Sequence, residues 1–227
     1  MQTWLITGCN RGIGLAMSRL VLREGHRVIG LCRNPGGERD LWELEGDYGD
    51  ALRVETADVD SQVSLDQAGA ALQGETIDIL VNNAGILEDY GSGLRELSLN
   101  LVERSFRINA MGAMRVTRTI LPMMNDGGVI ASLSSRVGSI ADNSSGGGYA
   151  YRMSKAALNM FNKNLSLEYP QFCCVVLHPG WVKTTMGGPG ATSDVMDAAA
   201  GMIRVIDGLQ PRHSGGFYSY DFNEIPW

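Results

Sequence analysis

The stretch Thr7-Gly8-Cys9-Asn10-Arg11-Gly12-Ile13-Gly14 constrains this chain more than any other feature. It follows a short apolar run, Trp4-Leu5-Ile6, and leads into an amphipathic stretch from Gly12 to Arg23, so strand, glycine turn and helix come in immediate succession. Glycines at such a junction let backbone N–H groups approach a pyrophosphate at a helix N-terminus. The spacing departs from G-x-G-x-x-G, and glycines serve close helix–strand packing equally well with no ligand present. Position favours the first reading, because the triad follows the first strand and starts the first helix.

The alternation continues along the chain. Strands are expected at Val28–Cys32, Leu52–Val54, Ile77–Val81, Val129–Leu133, Cys173–Leu177 and Phe217–Tyr220. Helices are expected at Ser61–Leu72 with Ser61 as N-cap, Asn100–Met124 ending at Asn125-Asp126-Gly127-Gly128, Tyr151–Tyr169 stopped by Pro170, and Asp194–Leu209. Continuous apolar strands joined by crossover helices imply a parallel sheet covered on both faces. The expected architecture is one doubly wound, Rossmann-like α/β domain over residues 1–227. At 227 residues and 44% hydrophobic content the chain suits a single buried core, and no repeat or linker divides it. Gly187–Ser193 is the softest stretch and reads as a mobile loop. A net charge of -6 with no run of like charges argues against a nucleic-acid partner. Cys9, Cys32, Cys173 and Cys174 lack metal or redox spacing, and no segment has the composition of a signal peptide or membrane span. A cytoplasmic protein with reduced thiols and no bound metal is expected.

Dinucleotide folds often carry an acid near the end of the second strand to accept a ribose 2′-OH. Cys32 stands there and Arg33 follows, and Arg33 with Arg11 offers bidentate donors to a 2′-phosphate, which favours NADP(H). Asn82-Asn83-Ala84-Gly85, Asn109, Ser134-Ser135 and Tyr151-x-x-x-Lys155 each have an ordinary structural reading as turn or helix-face residues. Together they fall where open α/β sheets bind ligands, at the carboxyl ends of strands. Tyr151 and Lys155 share one helical face. Bringing a phenol from a pKa near 10 to about 7 requires about 4 kcal/mol of stabilisation of the phenolate, which a neighbouring ammonium and a positive nicotinamide ring could supply.

Thr7-Gly8-x-x-x-Gly12-x-Gly14, Asn82-Asn83-Ala84-Gly85, Asn109, Ser135 and Tyr151-x-x-x-Lys155 together resemble the short-chain dehydrogenase/reductase superfamily, in order and across most of the chain. Gly147–Asn159, His178–Thr184 and the stretches Arg204–Leu209 and Ile225–Trp227 resemble its C-factor-like and sniffer-type carbonyl reductase group. The resemblance implies an NADP(H)-dependent oxidoreductase that moves a hydride between nicotinamide and a small carbonyl or alcohol substrate through Asn109, Ser135, Tyr151 and Lys155, with Asn109 holding a water of the proton relay. It implies cofactor contacts from Gly8, Asn10, Arg11, Gly12, Ile13, Gly14 and Arg33. Asp58 and Val59 would lie beside the adenine, followed by Asn83, Ala84, Gly85, Tyr151 and Lys155. Pro179, Gly180, Val182 and Thr184 would lie by the nicotinamide. It also implies a homo-oligomer, dimer or tetramer, built on the helices at Asn100–Met124 and Tyr151–Tyr169. The C-factor name suggests an alternative, a signalling protein that binds nucleotide with little turnover.

Sixteen positions separate Ser135 from Tyr151, more than is usual in the superfamily, because Asp142–Gly148 lengthens the segment. That leaves Ser134 as an alternative working hydroxyl, although Ser135-x-x-Gly138 fits the family pattern better. Tyr149 has Met153, not lysine, four residues on. His178 reads as packing, and Met111, Met114, Met123 and Met124 as core or subunit interface.

Overall fold

A computed structural model describes residues 1–37, 39–88 and 93–227. Its centre is a parallel sheet of seven strands among the described residues: β1 (Thr3–Thr7), β2 (Arg27–Cys32), β3 (Leu52–Thr56), β4 (Ile77–Asn82), β5 (Met124–Leu133), β6 (Cys173–His178) and β7 (Phe217–Ser219). The order is β3-β2-β1-β4-β5-β6-β7, with every pairing parallel. The chain winds outward from β1 to β3, returns to the middle at β4, and winds outward the other way. The crevice at the carboxyl ends of β1 and β4 is therefore the switch point, the place such sheets reserve for ligands.

Strand residues alternate between two helical layers because successive side chains leave opposite faces of the sheet. Trp4, Ile6, Val28 and Cys32 pack with α1 (Gly12–Arg23), α2 (Arg39–Tyr48) and α7 (Val195–Asp207) through Met17, Leu41, Leu44, Met202 and Ile206. Leu5, Ile29, Leu31 and Leu80 face α3 (Gln62–Ala71), α5 (Met111–Ile120) and α6 (Tyr149–Glu168) through Leu65, Val116, Ile120 and Leu165. Each such side chain removed from water contributes about 1.5–3 kcal/mol, which sets the sheet position without reference to the cleft. No disulfide joins the cysteines, and no helix among the described residues is long and apolar enough to cross a membrane.

One expectation needs correction, and one helix was not expected. The segment read as one helix from Asn100 to Met124 is α4 (Leu99–Ser105), a wider π turn at Phe106–Ala110, then α5, which stops at Ile120. Pro122, in the 3-10 turn Leu121–Met123, has no N–H to continue the ladder, and Met124–Gly128 joins β5 instead of capping a helix. The helix α2 is missing from the sequence reading, because only Leu41 and Leu44 of its ten residues are buried and the apolar stripe is too thin to register. Gly187–Ser193 lies outside every helix and strand, as expected of a loop, and is tied to its own start: Trp181 Nε1 donates to the Gly187 carbonyl at 2.8 Å, and the Thr192 and Ser193 amides donate to the Trp181 carbonyl at 3.0 and 2.9 Å.

Candidate active site

At the switch point the first wall of the cleft is built from backbone. Thr7 Oγ1 donates to the Val81 carbonyl at 3.4 Å and accepts the amides of Asn83 and Ala84 at 3.0 and 2.9 Å, joining the end of β1 to the end of β4. Asn83 Nδ2 donates to the carbonyls of Thr7 and Gly8 at 2.7 and 3.2 Å, so this side chain holds the glycine turn. Gly8 has φ +68°, which favours glycine. A methyl group on Gly14 would stand 2.5 Å from Asn83 Nδ2 and collide with the Gly8 carbonyl. These contacts show that the glycines are needed for close packing of the turn.

The turn also forms a cradle. Arg11 is the N-cap of α1 and gives it no side-chain capping bond, so the first-turn amides have no side-chain partner from the cap. Across from Gly12, whose φ is +55°, Thr184 Cγ2 lies 3.5 Å from the point a Cβ would occupy. Half-buried Asn10 and Ile13 complete the turn, and Ile13 packs on the core. Arg11 and Arg33 are exposed and make no ion pair among the described residues. Asp58 sits in a turn, its Oδ1 accepting the Asp60 amide at 2.9 Å, and Arg115 holds the Val59 carbonyl at 3.3 Å. Pro179 and Gly180 continue from β6, and Val182 is buried and bridged to Ser193. First-turn amides without a side-chain cap and two guanidinium groups with no ion pair among the described residues fit a dinucleotide with a 2′-phosphate.

The second wall carries the titratable groups. Lys155 is buried, its ammonium donating to the Leu133 carbonyl at 2.8 Å and lying 5.6 Å from the centre of the Tyr151 ring. Burial lowers its pKa to about 8. Gly85 faces this group: a Cβ there would be 3.1 Å from Asn109 Oδ1 and 3.6 Å from Lys155 Nζ. Asn109 stands in the π turn, a geometry common at functional positions. Its Oδ1 accepts the Ile86 amide at 2.8 Å, and its Nδ2 donates to the Ile86 carbonyl at 3.0 Å and to Ser154 Oγ at 2.9 Å. The Asn109 side chain is thus spent on fastening the segment after β4 to α6.

The two serines after β5 differ sharply. Ser134 is buried and its hydroxyl donates to Asn159 Oδ1 at 2.7 Å, while Asn159 Nδ2 donates to the Gly138 carbonyl at 3.2 Å. Ser135 is half-buried, and no hydrogen bond of its hydroxyl occurs among the described residues. Gly138 lies flat on α6, a Cβ there meeting Lys155 Cβ at 2.8 Å. His178 is held neutral, with burial and nearby Arg136 lowering its pKa to about 4, in line with the packing reading. Asn159 and Ser154 are contributors to which the sequence assigned no role, and Thr7 entered only as part of the glycine motif. Asn159 left one usable signal, since it follows Lys155 by four residues on the same helix face.

Comparisons with known proteins show the family and the fold. A family model described as short chain dehydrogenase matches residues 2–193. The C-signal of Myxococcus xanthus is 48% identical over 155 residues, which is 66% of this chain and 93% of that protein. The carbonyl reductase Sniffer of D. melanogaster superposes with a TM-score of 0.93 at 31% identity, covering all of both chains. An NADPH-bound carbonyl reductase from chicken fatty liver superposes with a TM-score of 0.91 at 30% identity, covering 100% of this chain and 99% of the other.

Proposed function

The chain belongs to the short chain dehydrogenase family, and from that premise we propose that it is an NADP(H)-dependent oxidoreductase interconverting a small carbonyl and its alcohol. The observation that carries the reading is the buried Lys155 ammonium 5.6 Å from the Tyr151 ring, at the cleft where the glycine turn opens. A buried cation is costly unless it serves something, and perturbed titratable groups in a cleft mark functional sites. NADP(H) is supported by the NADPH-bound chicken carbonyl reductase and by the free guanidinium groups of Arg11 and Arg33.

In this reading the first-turn amides of α1 hold the pyrophosphate, Arg11 and Arg33 the 2′-phosphate, Asp58 and Val59 the adenine, and Pro179, Gly180, Val182 and Thr184 the nicotinamide end. When bound, the cofactor supplies the hydride. Ser135 donates a hydrogen bond to the substrate oxygen as negative charge develops there, and Tyr151 delivers the proton to that oxygen. The Lys155 cation stabilises the phenolate that remains. Asn109 holds the Ile86 segment against α6 and supports the relay behind Lys155. Ser135 is the working hydroxyl in preference to Ser134, because Asn159 already occupies the Ser134 proton.

The exposed faces of α5 and α6 carry Met111, Met114, Met153, Met160 and Leu167, which supports a homo-oligomer built on these helices, measurable by light scattering. A second reading has its own support. The M. xanthus relative is named C-signal, and a signalling role would make nucleotide binding sufficient. Fluorescence titration with NADPH and NADH, followed by turnover of the Tyr151→Phe protein, separates the two. NADPH preference with loss of turnover supports the oxidoreductase. Nucleotide binding with no turnover in either protein favours signalling.

A further inference from the structure

Sixteen positions separate Ser135 from Tyr151, and the way they are joined creates a mechanical problem. Gly146, Gly147 and Gly148 run into the start of α6 with φ of +62°, +68° and +54°, so three successive residues without side chains join the loop to the helix that bears Tyr151. Such a joint does little by itself to fix where Ser135 stands relative to Tyr151.

Asn159 of α6 ties the base of the segment at Ser134 and Gly138, and a second side chain of the helix spans its two limbs. Arg152, the residue after Tyr151, donates from Nη1 to the Val137 carbonyl at 3.2 Å and from Nη2 to Ser145 Oγ at 2.9 Å. Val137 lies two residues after Ser135 on the outgoing limb, and Ser145 lies on the returning limb next to the glycines. The planar guanidinium therefore ties both limbs of the segment to the helix turn that carries Tyr151. Around it the loop is closed by the Gly146 amide on Asn143 Oδ1 at 3.0 Å and by the Ala141 amide on the Trp227 carbonyl at 2.9 Å. Neither of these reaches α6. Arg152 also makes no ion pair among the described residues, so charge pairing does not explain its placement.

We infer that Arg152 is a positioning residue that helps set Ser135 against Tyr151 by clamping the two limbs of the segment between them at Val137 and Ser145. This rests on the reading above, in which Ser135 and Tyr151 act on the same oxygen. Misplacing a reacting group by about 1 Å can cost on the order of a hundredfold in rate, so loss of one clamp should be felt in kcat rather than in cofactor binding.

The test follows NADPH oxidation with 4-nitrobenzaldehyde as the probe carbonyl. Arg152→Met should lower kcat roughly tenfold or more with the KM for NADPH within about twofold, and Arg152→Lys should fall between the two, because it keeps one donor but not the fork. Ser145→Ala should lower kcat about threefold alone and have no further effect when added to Arg152→Met, since its contribution runs through the guanidinium. If Arg152→Met does not fold, Arg152→Lys and Ser145→Ala carry the test. Unchanged kcat in Arg152→Met, strictly additive effects of the two substitutions, or a loss that appears equally in KM for NADPH and in the thermal midpoint would overturn the inference. A Tyr151→Phe protein with full activity, or a wild-type protein that never oxidises NADPH, would overturn the underlying catalytic reading and the positioning role with it.

Discussion

The two walls of the cleft are held by different means. At the end of β1 the wall is backbone on backbone: Gly14 against the Gly8 carbonyl, with Thr7 and Asn83 spending short side chains on main-chain groups. At and beyond the end of β5 the wall depends on side chains reaching from α6, with Lys155 on Leu133, Asn159 on Ser134 and Gly138, and Arg152 on Val137 and Ser145. A backbone wall fails all at once when a methyl group is added. A side-chain wall can be trimmed tie by tie.

Substitutions on each wall should separate these behaviours. The largest effect belongs to Tyr151→Phe, where loss of the acid should lower kcat on the order of a thousandfold while NADPH affinity stays within a few-fold, as read by steady-state kinetics and fluorescence titration. On the other wall, Gly14→Ala should weaken NADPH binding by about tenfold or more and cost about 1–3 kcal/mol of stability, measured by titration and denaturant unfolding. Normal binding in Gly14→Ala would show that the turn yields to a methyl group and that the contrast between the walls is overdrawn. Replacing both Arg11 and Arg33 by alanine should erase the preference for NADPH over NADH, a change of about tenfold or 1.4 kcal/mol, with no effect on folding.

Lys155 provides a pH test of the second wall. Its folded pKa of about 8 lies below the ordinary lysine value of 10.5, so the ammonium is present below about pH 8 and lost above it. The reductive kcat should therefore decline as pH rises through about 8. Stability should move the other way: the unfolded chain binds this proton more tightly, so the Lys155 contribution to unfolding free energy increases as pH is raised from about 8 to 10.5. A pH series of unfolding curves on wild type and Lys155→Met separates this group from the rest, since the rise should be absent in the variant. The smallest effect on rate should come from Ser134→Ala, with kcat within twofold of wild type but a stability loss of about 1–3 kcal/mol from the unpaired Asn159 oxygen. A kcat collapse in Ser134→Ala with Ser135→Ala unaffected would reverse the assignment of the working hydroxyl.

Much of the first wall is legible in the sequence. The apolar runs at Trp4–Ile6 and Val28–Cys32 and the glycines between them set strand, turn and helix through local periodicity, and the same logic placed Ser61 as a cap that does accept the Ser64 amide. The π turn at Phe106–Ala110 was not legible, because its i→i+5 pattern arises from packing and leaves the apolar periodicity nearly unchanged. The helix α2 was lost for the opposite reason, since its surface position leaves too few buried residues to mark a face.

The chain's sequence alone determined the doubly wound fold, the residue types in the cleft and their order, because hydrophobic period, glycine placement and Tyr-x-x-x-Lys spacing are properties of neighbours along the chain. Only the tertiary structure decided between Ser134 and Ser135 as the available hydroxyl, committed the Asn83 and Asn109 amides to holding loops, and brought Arg152 across both limbs of the segment between Ser135 and Tyr151. Those outcomes depend on which partner lies within hydrogen-bonding reach of a side chain. Val137 and Ser145 are separated from Arg152 by 15 and 7 positions and Ser134 from Asn159 by 25, distances along the chain over which no local pattern carries information.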